Sequence, residues 1–446
     1  MLTGFFEKMR PFLNGRWAAL LYTLLACVTV TFSLEHYAIP LFILWILFVL
    51  LLDSNFLNVF LPVTLLCGFA IRTSGQSTIL LKHVWLAFPV VVVVALYFIL
   101  YAKRKKLRFL PSHLAVSAAL LLGGVFYISP ADYFKPDALY YVFFLGVGML
   151  FFYVWFRMGV SSNEYYEVRE KLMECFLFLG AFCAYSIMEQ TVRMYLATGV
   201  LFNPYVWSND ICELMIFCIP AAFYYARKQY AFLFVGCGFY AVTFLTHSYA
   251  AILAGGVLVA FCFLYLAKNR SKYRFFTLGL LAVLAIGAIV LFARYAASHG
   301  GLYALFLEEE NGRLGLIKAA WQKFLESPIF GAGIGDPGDG SATFMTIHWT
   351  HNFVFQIIGS MGLAGVLAYS YQLYERVKLV LKLRDPLSFA CFLSYLGLFL
   401  ISMLQPGEFC PMPYAMMAVM IFSTLEAAKE ETDAVSENNE KTAVSS

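Results

Sequence analysis

The residue types best suited to chemistry lie close together in the second half of the chain. They form the series Asn311-Gly312-Arg313, Ser327-Pro328, Gly331–Gly335, Thr350-His351-Asn352 and Gln356. A guanidinium binds phosphate through a planar fork that keeps its charge, and an imidazole exchanges a proton near neutral pH. We therefore expect Arg313 and His351 to be catalytic. Arg313 would hold a phosphate leaving group, and His351 would accept a proton or orient an acceptor hydroxyl.

Six further polar side chains fall near the ends of apolar segments. As candidate substrate-binding residues we take Arg193, Asn209, Glu213, His247, Asn352 and Gln356. An ionisable group in a membrane segment costs free energy, so it indicates a functional site by default. A structural interpretation stays open for several of them, because polar residues at this depth can simply contact lipid headgroups. Arg313 could likewise anchor a surface helix through its long side chain.

The residues around Arg313 and His351 also predict local structure. Apolar residues recur at helical spacing from Arg313 to Leu325, which predicts an amphipathic helix at the membrane surface, ended by Ser327-Pro328. Thr350 is the expected cap of a helix that begins at His351 and Asn352, and such an N-terminus attracts phosphate. The glycines of Gly331–Gly335 follow no strand, so they predict a tight turn rather than a nucleotide-binding loop.

No metal and no cofactor are expected. Asp336, Asp339 and the run Glu308–Glu310 could attract a cation, but they lack the spacing of a calcium loop. His348 lies close to His351, yet no third ligand for zinc is evident nearby.

Composition decides the class of protein. Of 446 residues, 61% are hydrophobic and only 13% are charged, whereas soluble proteins carry about 25% charged residues. Too few charges remain to cover a soluble surface, so we predict an all-α polytopic membrane protein with about 14 (about 12 to 14) transmembrane helices. The predicted spans are 17–33, 38–52, 56–72, 83–102, 112–129, 138–157, 171–190, 209–226, 230–246, 249–267, 275–293, 351–373, 387–404 and 412–427.

The basic residues of the short loops set the orientation. Dense clusters at 103–108, 268–274 and 376–384 all fall on the cytoplasmic side if both termini are cytoplasmic. The predicted organisation then has four parts. They are transmembrane helices 1–11 in residues 1–293, a large external loop with the amphipathic helix in 294–350, helices 12–14 in 351–427 and a disordered cytoplasmic tail in 428–446.

The series that begins at Arg313 resembles the O-antigen ligase/polymerase family of bacterial membrane glycosyltransferases. That family has an Arg opening a helix, a Pro followed by Gly-x-Gly-x-Gly, and a His-Asn pair entering the next span. The matching residues here are Arg313, Pro328, Gly331–Gly335, His351-Asn352, Gly362 and Gly365. A weaker match to another family block lies at Gly199, Asn203-Pro204 and Asn209.

Two positions depart from the family pattern. Ser248 is followed by Tyr249 where the family often has Arg, and Ser360 stands where an acidic residue is common. A phosphate-binding Arg is therefore missing here or supplied from elsewhere, and Arg193 is the residue we expect to supply it.

The resemblance implies an inverting, metal-independent glycosyltransferase at the outer face of the bacterial cytoplasmic (inner) membrane. The donor would be a glycan on polyprenyl (undecaprenyl) diphosphate, and the acceptor a hydroxyl of another glycan or lipid-glycan. We favour a polymerase of capsule, exopolysaccharide or O-antigen over a ligase. The expected partners are these substrates, the lipid bilayer and polysaccharide-assembly proteins, but no nucleic acid. The alternative function is a transporter or flippase of lipid-linked oligosaccharides.

The predicted orientation can be tested with a cysteine at Ser298, at the start of the predicted external loop. An impermeant thiol reagent should label it in intact cells, because that loop faces outward. A parent protein without native cysteines is the control. Labelling that requires cell lysis would reverse the orientation.

Overall fold

The structure, a computed structural model, describes most of the chain. The described residues are 8–9, 11–13, 15–52, 56–72, 84–101, 109–124, 142, 144–160, 165–201, 208–246, 248–298, 313–334, 350–405, 407–409 and 412–445. Within these ranges the regular structure is helical and no strand occurs, in agreement with the predicted all-α class.

The α-helices of the described residues are numbered in chain order. In chain order they are α1 (Arg16–Thr31), α2 (Glu35–Leu52), α3 (Phe60–Arg72), α4 (Ala87–Tyr101), α5 (Pro111–Gly124), α6 (Met149–Val160), α7 (Tyr165–Thr198), α8 (Ser208–Ala226), α9 (Phe232–Thr243), α10 (Tyr249–Asn269), α11 (Arg274–Ser298), α12 (Arg313–Glu326), α13 (Phe353–Leu383), α14 (Pro386–Ser402) and α15 (Met412–Ser445).

By length and composition, four helices in the described residues could cross a membrane. They cover Glu35–Leu52, Val168–Thr198, Tyr249–Asn269 and Phe353–Leu383. Shorter apolar helices occur at many of the other predicted spans. The chain is therefore a helical protein of the multi-pass type, and the number of about 14 crossings stays a prediction.

Helix α8 lies at the centre of the bundle, where it packs against α7, α9, α10 and α14. Every residue from Ile211 to Ala226 is buried. Aromatic side chains connect it to its neighbours, with ring centroids 4.7 Å apart for Phe217 and Phe176 and 5.2 Å apart for Phe223 and Phe263. A helix that is apolar on all sides belongs in the interior of a bundle, and α8 follows this rule.

Helix α13 reverses direction at Gly362, whose φ of 58° and ψ of −151° are not helical. The rings of Phe353 and Tyr369 lie 5.2 Å apart. A straight helix would separate these residues by about 24 Å along its axis. The chain thus does not run as the single straight span predicted at 351–373. It forms two arms packed side by side, the 353–361 arm and the 363–383 arm.

Four backbone hydrogen bonds hold this reversal, and each of them joins α13 to the turn at 328–333. Helix α13 donates two of them and the turn donates the other two. They are Leu363 N–H to Pro328 O (2.9 Å), Ala364 N–H to Ile329 O (2.9 Å), Ala332 N–H to Gly359 O (2.9 Å) and Gly333 N–H to Ser360 O (3.0 Å). A helix end leaves N–H or C=O groups without intrahelical partners. The turn supplies partners to both arms at once, and we call this arrangement the backbone clamp.

Glycine is required where the two backbones of the clamp meet. Gly331 has a φ of 72°, and a Cβ there would lie 2.3 Å from the Met361 nitrogen. A Cβ on Gly362 would lie 2.6 Å from the Pro328 oxygen. The glycine run predicted as a tight turn is confirmed over the described residues up to Ile334, and its role is backbone contact with α13.

Helix α12 is the amphipathic helix predicted from Arg313 onward, and it ends at Glu326, just before Ser327-Pro328. It packs on the 353–361 arm through Ala320, since a Cβ on Gly359 would lie 3.1 Å from the Ala320 oxygen. Trp321 and Leu325 stay exposed. The apolar face is thus free to contact lipid, and the surface position stays a prediction.

The C-terminal end differs from the prediction. Helix α15 continues to Ser445, so residues 428–445, predicted as a disordered tail, are helical in the structure. Glu430 pairs with Arg157 on α6 at 2.6 Å, and Lys429 pairs with Asp433 one turn away at 2.7 Å. These pairs, with the straight-chain residues of the segment, favour helix over coil.

The clamp predicts a specific loss of stability for Gly362→Ala. Its φ and ψ lie in a region that non-glycine residues adopt at a cost of about 1–3 kcal/mol, and the new Cβ would meet backbone atoms. The melting temperature of the purified protein in detergent should fall. Gly279→Ala on α11 is the matched control, because a Cβ there meets open space. Equal melting temperatures for both variants would contradict the clamp.

Candidate functional site

His351 lies directly before α13 and is held by a residue from the α14–α15 loop. Its Nδ1 lies 2.8 Å from Oε1 of Gln405. A carbonyl oxygen can only accept, so this bond assigns the proton to Nδ1 and leaves Nε2 as the nitrogen that can accept one. The ring is half-buried, and the residue adopts a φ of 50°. Backbone and side chain of His351 are therefore both fixed by neighbours.

Asn352 is the N-cap of α13. Its Oδ1 accepts from the Val354 and Phe355 N–H groups at 3.0 and 3.2 Å, and its Nδ2 donates to the Met403 carbonyl at 2.9 Å. Thr350, the expected cap, instead donates its hydroxyl to the Asn352 carbonyl. Asparagine is the stronger cap because its side chain reaches the free N–H groups from an extended backbone.

Gln356 is buried one turn into the 353–361 arm, and both ends of its amide are engaged. Its Oε1 accepts from the Thr350 N–H and hydroxyl at 2.9 and 3.2 Å, and its Nε2 donates to the Ser360 hydroxyl at 3.2 Å. These bonds fix the segment that carries His351. Substrate contact by Gln356 stays a prediction, whereas its positioning contacts are visible.

Arg313 begins α12, as predicted, and its side chain lies outside the described residues. Helix α12 and the 353–361 arm enclose a small cavity lined by Ala320, Lys323, Thr350 and Gln356, among others. The helix opened by Arg313 and the arm opened by His351 are therefore direct neighbours.

The start of α8 lies at the same end of the bundle. Tyr414 donates to the Asp210 carbonyl, and Ala415 belongs to the buried cluster of Phe353 and Ile357. Asn209, in the first turn of α8, is exposed, as a substrate-binding residue would be. Glu213 is 2% exposed, and its Oε2 has no hydrogen-bond partner among the described residues.

One predicted residue, Arg193, is not joined to this cluster. Arg193 pairs with Glu189 and donates to the Thr31 carbonyl, and Glu189 also pairs with Arg72 at 3.1 Å. The guanidinium expected to assist Arg313 is thus engaged with α1 and α7, although it is 45% exposed. His247 lies outside the described residues.

Gln405, the partner of His351, was not predicted from the sequence, and neither was the ion pair that anchors the loop carrying it. Arg376, on the 363–383 arm, binds Glu408 through two hydrogen bonds of 2.9 and 2.7 Å and Tyr395 through one of 2.8 Å. Arg376 is 3% exposed, so it does not belong to the cytoplasmic loop cluster predicted at 376–384. A polar Gln and Glu between two apolar segments were the available signal.

In the part of the chain that the structure describes, His, Cys, Asp and Glu form no group of three that could hold a metal ion. Asp336, Asp339 and His348 lie outside that part.

Comparison with known protein families gives a match within the second half of the chain. Residues 231–370 match the family model described as O-antigen ligase. This region contains Arg313, the clamp, His351, Asn352 and Gln356, whereas Arg193, Asn209 and Glu213 precede it. No curated protein matches the chain. Over residues 231–370 the chain is therefore similar to the O-antigen ligase family, which supports the resemblance predicted from its motifs.

Proposed function

We propose that this protein is a membrane glycosyltransferase that transfers or polymerises a glycan from polyprenyl (undecaprenyl) diphosphate onto a glycan hydroxyl. The observation that carries the proposal is the placement of His351. Gln405 holds its Nδ1, and its arm packs against the helix that Arg313 opens. A proton acceptor and a phosphate-binding side chain thus belong to adjacent elements, as the reaction requires.

The reaction joins two substrates with one proton transfer. The acceptor oxygen attacks the anomeric carbon of the donor sugar, a new C–O bond forms, and the bond to the diphosphate oxygen breaks. The acceptor proton passes to Nε2 of His351. Arg313 stabilises the negative charge that develops on the leaving diphosphate, because its guanidinium can donate hydrogen bonds to two phosphate oxygens at once. Attack opposite the leaving group inverts the sugar, and EDTA should leave the rate unchanged.

The finer points of the proposal rest on the resemblance and the charge pattern. We place the reaction at the outer face of a bacterial cytoplasmic membrane, with both termini inside, and we favour a polymerase over a ligase. The alternative is a transporter or flippase. Buried pairs such as Arg376–Glu408 would suit it, because transporters carry charges inside the membrane. Turnover of a lipid-linked donor by protein in detergent, without two leaflets, supports the transferase and contradicts the alternative.

His351→Ala should lower the rate of product formation by about 10²–10⁴-fold, because it removes the proton acceptor. Arg313→Lys keeps the charge but loses the two-point contact with phosphate, so donor use should still fall markedly, and Arg313→Ala should be worse. The assay is polymer or ligated product formed from a lipid-linked donor at matched expression.

Lys318→Ala is the control for both changes, since Lys318 is exposed on the same helix as Arg313. It should keep nearly full activity. If His351→Ala and Arg313→Ala both form nearly normal amounts of product, neither residue is catalytic and the proposed mechanism is wrong.

Gln405 should act through His351. Gln405→Leu removes the acceptor of the Nδ1 proton, and the rate should fall about fivefold, because one hydrogen bond contributes about 1 kcal/mol. Gln405→Glu keeps the acceptor and adds a negative charge that favours the imidazolium. It should retain activity, and the acid limb of its pH–rate profile should move to higher pH. An unmoved profile in Gln405→Glu would mean that Gln405 does not position a titrating His351.

A further inference from the structure

A cavity of about 140 Å³ lies between the two arms of α13. Phe353 and Ile357 line it from the 353–361 arm, and Val366 and Leu373 line it from the 363–383 arm. The reversal at Gly362 creates this space, because side chains of both arms face each other across it. Its walls are mostly apolar.

The cavity adjoins the candidate site. Phe353 directly follows the cap Asn352, and its ring lies 5.2 Å from that of Tyr369, so the part of the cavity between these two residues lies beside the His351 cluster. On the other arm the lining runs from Val366 to Arg376, which is about 15 Å along a helix axis. Val354 and Ser370 belong to the lining and have exposed side chains, so the cavity is open at the side of the bundle.

The inner end of the cavity carries no net charge. Arg376 and Glu408 lie there, joined by two hydrogen bonds, and Tyr395 donates to the same carboxylate at 3.3 Å. Glu408 belongs to the loop that also carries Gln405, the partner of His351. An apolar ligand in the cavity would therefore contact a neutralised pair that is connected to the candidate site.

We propose that this cavity binds the first isoprene unit of the donor, next to its diphosphate. This inference rests on the proposed function, because it assumes a polyprenyl diphosphate donor. A diphosphate held near Arg313 and His351 leaves its chain at the entrance of the cavity, and the open side lets the rest of the chain continue into the lipid. An apolar cavity of about 150 Å³ accepts a benzene ring, so a five-carbon isoprene unit fits.

The position of the cavity favours the donor chain over an unrelated lipid. Lipid acyl chains can cover any exposed apolar face, but this cavity starts directly beside Asn352. Its occupant would also contact Phe353, the first residue of the arm that follows His351. Binding of the chain would thus bring the diphosphate to the catalytic residues.

A matched pair of variants tests the assignment. Val366→Phe fills the cavity, whereas Leu367→Phe adds the same ring next to it on a position that is 70% exposed. With a long-chain polyprenyl diphosphate donor, Val366→Phe should raise KM about tenfold. With a donor whose diphosphate carries a methyl group in place of the isoprene chain, its KM should stay near that of the unchanged protein, because that donor has nothing to insert into the cavity. Leu367→Phe should change neither value.

Crosslinking of the unchanged protein gives a second measurement that does not depend on variant folding. A polyprenyl diphosphate with a photoreactive group in its first isoprene units should label the segments 353–357 or 366–373. Unlabelled polyprenyl diphosphate should suppress the labelling. A phosphatidylglycerol with a photoreactive acyl chain is the comparison probe.

The outcomes separate the two proposals. Equal effects of Val366→Phe and Leu367→Phe in an active protein, or labelling only outside both segments, would overturn the cavity assignment alone. Labelling by phosphatidylglycerol that polyprenyl diphosphate does not suppress would mean that an ordinary acyl chain fills the cavity. If no lipid-linked donor turns over, the proposed function fails, and the crosslinking still decides whether the cavity binds a polyprenyl chain.

Discussion

The geometry of the candidate site depends on the backbone clamp between the turn at 328–333 and the reversal of α13. The reversal exposes helix-end groups that would be costly to bury alone, and the turn pairs four of them. The same contacts place α12 against the 353–361 arm. Without the clamp, His351 would begin a straight helix, and neither the side-by-side arms nor the cavity between them would exist.

Around this backbone framework the site is organised by neutral hydrogen bonds, and charges lie further inside. Hydrogen bonds join Gln356 to Thr350 and Asn352 to the Met403 carbonyl. Gln405 engages Nδ1 of His351, so Nε2 of that ring stays available. The buried Arg376–Glu408 pair holds the loop that carries Gln405. Neutral groups lose less free energy than ions when they are buried, so they suit residues whose task is to fix a catalytic side chain.

Sequence alone predicted the features that depend on local signals. The helical class followed from composition, and α12 followed from apolar spacing and its Ser-Pro stop. The family pattern predicted catalytic roles for Arg313 and His351, and these roles stay predictions. The reversal at Gly362 was missed because the apolar run continues through it, and the bonds that enforce it come from a distant turn. Gln405 was missed for the same reason, since its contact with His351 spans two helices.

The clamp also has a consequence for the segment 335–349, which lies outside the described residues. Ile334, at the end of the turn, and Thr350, before the arm, line the same small cavity, so the two ends of the intervening segment 335–349 are held together by contacts outside it. The entropic cost of closing a loop rises only slowly with its length. We therefore expect that residues inserted in this segment leave His351 in place. Under the proposed function, related proteins could vary in length there, next to a candidate site of constant geometry, and so accept hydroxyl substrates of different size.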